Sequence, residues 1–94
     1  MQKIVINNRQ GGFGLSEEAL AVYKLAYNLD YDLDYDAEID RDDPVLVSIV
    51  LTLGERANSS YSRLRVVEVP DDVEWDIGEY DGSEWVAEKH RIWS

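Results

Sequence analysis

The apolar positions of this chain fall into runs with two different periods. Lys3-Ile4-Val5-Ile6-Asn7 is a short run rich in β-branched residues that ends in Asn7-Asn8-Arg9-Gln10-Gly11-Gly12-Phe13-Gly14, a loop signal, and it predicts a first strand. From Ser16 to about Asn28, Leu20, Tyr23 and Tyr27 recur at three- and four-residue spacing, with Ala19, Val22 and Ala26 beside them. That period predicts a helix, with Ser16 as N-cap and Glu17 and Glu18 in its first turn. A second helix opens at Arg41-Asp42-Asp43-Pro44, where an Asp caps and Pro44 takes the first helical position, and it buries Leu46, Ile49, Val50, Leu53 and Ala57. Asn58-Ser59-Ser60 ends it, and Leu64 to Val69 follows as a strand closed by Pro70.

The C-terminal stretch from Val73 to Trp93 predicts a β-hairpin around Asp81-Gly82, a dipeptide that tolerates the positive φ angles of a tight type I′ turn. A two-residue loop fixes the register. Tyr80 faces Ser83, Glu79 faces Glu84, Ile77 faces Val86, Trp75 faces Glu88 and Val73 faces His90. Between the two helices, Leu29 to Asp36 alternates strictly, with Asp at every even position. Such alternation suits a half-buried edge strand with an acidic outer row. Asp32, Asp34 and Asp36 also imitate the opening of a calcium loop, but Ala37 stands where the sharp-turn glycine belongs and Asp43 where the bidentate Glu belongs, so an EF-hand-type calcium site is not expected. The whole order predicts one α+β domain over residues 1–94: a small, mostly antiparallel sheet with a C-terminal β-hairpin and two helices packed on one face.

Composition narrows the functional classes. At 94 residues the core is modest, and oligomerisation would help it. Hydrophobic residues at 45% argue for a folded globule despite the charge. The chain has no cysteine, which excludes disulfides and thiolate metal sites, and it has no signal-like or membrane-spanning apolar run; a cytoplasmic protein is the expectation. The formal net charge of −11 repels phosphate backbones and anionic membranes, so general nucleic-acid binding and membrane binding are not expected. A small anionic ligand is a different matter, because a few donors in one place can outweigh a distant field.

Candidate chemistry gathers in two stretches. Gly11 and Gly12 allow close backbone approach to a ligand, and with Phe13 and the helix start at Ser16 they form an arrangement that can hold an anion. Arg41 supplies a donor fork. On the hairpin, Tyr80 and Trp93 supply flat rings, and Glu88, His90 and Arg91 supply polar groups, so the parts needed to stack a base and pair a phosphate are present. No nucleophile elbow or other catalytic motif occurs, and Glu88 with His90 is the single compact acid–base pair. Binding without catalysis, and without a cofactor, is therefore the expectation.

Gly-Gly-Phe-Gly-Leu-Ser, Arg-Asp-Asp-Pro, Val-Glu-Val-Pro, Tyr-Asp-Gly-Ser-Glu-Trp-Val and Glu-Lys-His-Arg-Ile-Trp together resemble a family of small uncharacterised proteins from phages and prophages. The resemblance spans almost the whole chain. By analogy with small phage proteins that antagonise host defence, it implies an oligomeric sponge that sequesters a nucleotide signal such as a cyclic dinucleotide or a cyclic ADP-ribose isomer. Two alternatives stand beside it. The charge and the Asp row suit an acidic interaction protein that imitates DNA and blocks a host factor, and the same row suits a metal-dependent phosphodiesterase.

Overall fold

A computed structural model describes residues 1–33 and 39–89. The element order is β1 (Gln2–Asn7), α1 (Glu17–Ala26), α2 (Pro44–Leu53), a 3₁₀ turn (Gly54–Ala57), β2 (Leu64–Val69), β3 (Trp75–Tyr80) and β4 (Ser83–Glu88). The class is α+β, as the apolar periods predict. Both helix starts form as expected: the Ser16 hydroxyl accepts from the Ala19 N–H, and the Asp43 carboxylate accepts from Val45 and Leu46 with Pro44 following it. The Asp row is only partly described. Its first part, Asp30 to Leu33, contains no strand, and Asp34 to Asp36 lie outside the described residues.

The strands form two antiparallel ribbons rather than one sheet, β1 with β2 and β3 with β4. The hairpin register is the one that the two-residue loop dictates, from Tyr80 opposite Ser83 to Trp75 opposite Glu88. The reason for two ribbons lies in β1, which is apolar on both faces. Val5, on the face towards the helices, joins Leu15, Ala19, Leu46, Ile49, Val50 and Leu64 in the main core. Ile4 and Ile6, on the other face, join Val69 and are covered by Val67, Val73, Trp75, Ile77 and Val86. The hairpin thus packs as a third layer across β1 and β2, opposite the helices. Gln2 fastens its far end, donating to the carbonyls of Pro70 and Val73 and accepting from the Trp75 indole N–H at 3.0 Å.

On the helical side, the Tyr23 and Tyr27 rings lie 4.9 Å apart, and both hydroxyls donate to the Asp43 carboxylate that caps α2. Burial, with the Asp43 charge beside it, holds the Tyr23 phenol above its ordinary range. For Tyr27 the hydrogen bond to Asp43 comes first and acts in the same direction. A raised phenol pKa stabilises the fold below the ordinary tyrosine value of about 10 and ceases to do so as the pH rises through the shifted value. Phenolate absorbance should therefore show two of the six tyrosines ionising late, with helical circular dichroism falling in step. Asp43→Asn should shorten the delay, most of all for Tyr27, and a single unshifted transition in the parent protein would contradict the assignment.

Candidate functional site

The end of the molecule that carries the hairpin turn brings together residues some seventy positions apart. Asp81 has φ 56° and Gly82 φ 89°, the left-handed conformations of the predicted turn. A β-carbon on Gly82 would collide with the Gly12 and Gly11 main chain, so the turn and the glycine loop lie in direct contact. The Gly11 N–H donates to the Asp81 carbonyl at 3.2 Å. On its other side Gly11 lies against the carbonyl and β-carbon of Tyr61, with no room for a side chain. Close packing together with a φ of 122° explains Gly11, and a φ of 100° explains Gly12.

Asn7 is the polar centre of this junction. It is completely buried at the end of β1. Its side-chain nitrogen donates to the carbonyls of Arg9 and Gly82, both at 2.7 Å, and its oxygen accepts from the Arg63 N–H at 2.8 Å. Its own N–H donates to a Glu84 carboxylate oxygen at 2.8 Å. One side chain thus ties β1 to the glycine loop, the hairpin turn and the entry to β2.

Arg41 lies beside it. Its guanidinium stacks 3.7 Å from the centre of the Phe13 ring and donates as a fork to Glu84, Nη1 to Oε1 at 2.5 Å and Nη2 to Oε2 at 2.9 Å. The Arg41 carbonyl accepts from the Val5 N–H at 2.7 Å. The pair is mostly out of solvent, with side-chain exposures of 21% for Arg41 and 8% for Glu84. The outward edge of β1 is thereby closed by Arg41 and Glu84, which stand where a further strand would. The Arg41 fork is engaged within the fold.

Of the residues that the sequence nominates, Gly11, Gly12, Phe13, Arg41 and Tyr80 meet at this end. Tyr80 is the residue before the turn and is 74% exposed. Ser16 lies nearby in a surface depression shared with Leu15, Asn58, Ser59 and Tyr61, and its hydroxyl is committed to the Ala19 N–H and the Arg56 carbonyl. Glu88 is elsewhere. It ends β4 beside Trp75, about 17 Å from the turn at the usual strand rise, so it does not share a site with the glycine loop. His90, Arg91 and Trp93 lie outside the described residues. Sequence reasoning missed Asn7, Tyr61 and Glu84. Glu84 left a signal, since a carboxylate on the apolar hairpin face opposite Glu79 requires a cation.

The N–H groups of Gly12 and Phe13 have no hydrogen-bond partner among the described residues, and the Tyr61 and Tyr80 rings are exposed on either side of the loop. These are donors and flat apolar surfaces. Among the described residues no group of three or more His, Asp or Glu side chains is placed to hold a metal, and no helix is long and apolar enough to cross a membrane. No family model, curated protein or solved structure matches the chain.

Proposed function

We propose that this protein binds a nucleotide-type ligand at the junction of the glycine loop and the hairpin turn, and retains it without chemical change. The class of ligand is the one that the phage-protein resemblance implies, a cyclic dinucleotide or a cyclic ADP-ribose isomer, sequestered in the cytoplasm by a homo-oligomer that counters host defence. The observation that supports this reading is the meeting of Gly11, Gly12, Phe13, Arg41 and the Asp81-Gly82 turn at one end, flanked by the exposed rings of Tyr61 and Tyr80. Stacking on an aromatic ring contributes about 1–3 kcal/mol per base, and every base offers a face to stack. Main-chain N–H groups can receive phosphate oxygens where the arginine fork is already engaged. The engaged Arg41 acts as a positioning residue for the Phe13 ring.

Calorimetry with cyclic dinucleotides and cyclic ADP-ribose isomers tests the reading. Binding is expected, with the ligand recovered intact after heat denaturation of the protein. Tyr61→Ala and Tyr80→Ala should each weaken it about tenfold, in line with the loss of one stacking ring, while leaving the melting temperature unchanged. Heat from none of these ligands would overturn the proposal, and recovery of altered ligand would replace it with catalysis.

A further inference from the structure

Among the described residues, the outward edge of β2 has a short length of main chain without a partner. In an antiparallel pair, hydrogen-bonded and non-hydrogen-bonded residue pairs alternate. The Asn8 N–H donates to the Arg63 carbonyl, so Ile6–Arg65, Ile4–Val67 and Gln2–Val69 carry the ladder bonds. Leu64, Val66 and Glu68 therefore turn their N–H and C=O groups away from β1. The Leu64 N–H is taken by the Asn58 side chain at 2.8 Å, and Pro70, next in phase beyond Glu68, has no N–H to offer. Among the described residues, the N–H groups of Val66 and Glu68 have no acceptor. Among these residues the β2 edge is closed at both ends and open in the middle.

Other edges are closed only in part. Val5 and Asn7 on β1 are met by Arg41 and Glu84, and the Ile77 N–H on β3 is met by the Asp76 carboxylate. The outward N–H groups of Glu84, Val86 and Glu88 on β4 also have no acceptor among the described residues, but the hairpin strands carry only acidic charges, Asp76 and Glu79 on β3 and Glu84 and Glu88 on β4, so either would repel its own copy. β2 differs. Arg63 and Arg65 stand at its start and Asp71 just past its end, in a chain with 9 basic and 20 acidic side chains.

We propose that β2 pairs antiparallel with β2 of a second copy across a two-fold axis at Val67. In this register Val66 of each copy faces Glu68 of the other, and both open residues find complementary main-chain groups, making about four hydrogen bonds. A shift that sets Val66 against Val66 brings Glu68 to Leu64, whose N–H is already occupied by Asn58. The chosen register also sets Arg63 opposite, and Arg65 diagonal to, Asp71 of the second copy, on the face that carries Val67. Asp71 is exposed, and its nearest charge is the amino group of Met1 at 3.2 Å. On the other face the two Glu68 side chains lie diagonal to one another, which weakens the pair without preventing it. The result is a continuous four-stranded sheet, β1-β2-β2-β1.

The inference rests on the main-chain edge, so it stands or falls separately from the ligand. Sedimentation velocity on the full chain over a wide concentration range tests it. The parent protein should dimerise. Val66→Pro removes an N–H that the β1 ladder does not use, so it should abolish the dimer while circular dichroism and the melting temperature stay close to those of the parent. Arg65→Asp and Asp71→Arg should each weaken self-association about tenfold, by setting like charges at two symmetric contacts, and an equimolar mixture of the two should regain the dimer as a heterodimer. A parent protein that is monomeric at millimolar concentration, or a dimer that ignores both charge reversals with no gain on mixing, would overturn the proposal.

Discussion

Asn7→Leu should cost about 3–5 kcal/mol, since it keeps the side-chain volume but leaves buried main-chain groups unpaired at about 1–3 kcal/mol each. The groups are identified: the Arg9 and Gly82 carbonyls lose their donor, and the Arg63 N–H loses its acceptor. Because Asn7 has no exposure, water cannot replace those bonds without opening the junction. Against a total stability of about 5–15 kcal/mol for a domain, this is enough to place the fold near its threshold. Urea unfolding of Asn7→Leu beside Asn8→Leu measures it. The second variant changes an exposed neighbour and should shift stability by no more than about 0.5 kcal/mol. Equal midpoints for the two would show that the junction does not depend on Asn7.

The same residue marks the limit of what the amino-acid pattern conveys. Local rules were sufficient wherever one element determines the outcome: Asp81-Gly82 set the hairpin register, Pro44 after Asp43 set the start of α2, and the period of Leu46, Ile49 and Val50 set its buried side. The layering was less legible. An apolar run such as Ile4-Val5-Ile6 predicts a strand buried on both faces, but it does not say which element covers each face, and here the hairpin covers one and the helices the other. The candidate site divided along the same line. Gly11 and Gly12 lie against the turn because Gly82 has no side chain to hold their main chain away, a fit invisible in either motif alone. Glu88 shares a strand with Glu84, yet strand rise carries it to the opposite end of the hairpin. Asn7, within what reads as the start of a polar loop, is buried because three carbonyl and N–H partners from distant segments converge on it.

Arg41→Met should destabilise the protein by about 3 kcal/mol, the lower end of the cost of breaking a buried ion pair, since Arg41 keeps some contact with solvent. The methionine replaces the aliphatic stem and can still cover the Phe13 ring, so packing loss is small and the cost measures the charge left behind. That charge is Glu84, 8% exposed, which would retain only the Asn7 N–H among the donors that now satisfy it. Glu84→Gln in the same chain should recover at least about 1 kcal/mol, because a neutral amide can accept from Asn7 without an unpaired charge in the interior. The comparison separates two roles for the pair. If Arg41 serves the fold by neutralising Glu84 and closing the β1 edge, the double variant is more stable than Arg41→Met alone, and ligand binding falls only as far as Phe13 loses its position. If instead Arg41→Met and the double variant melt together close to the parent, the ion pair contributes little to stability. The residue would then be held at the glycine loop for its charge, and ligand titrations of both variants should show the loss that the melts do not.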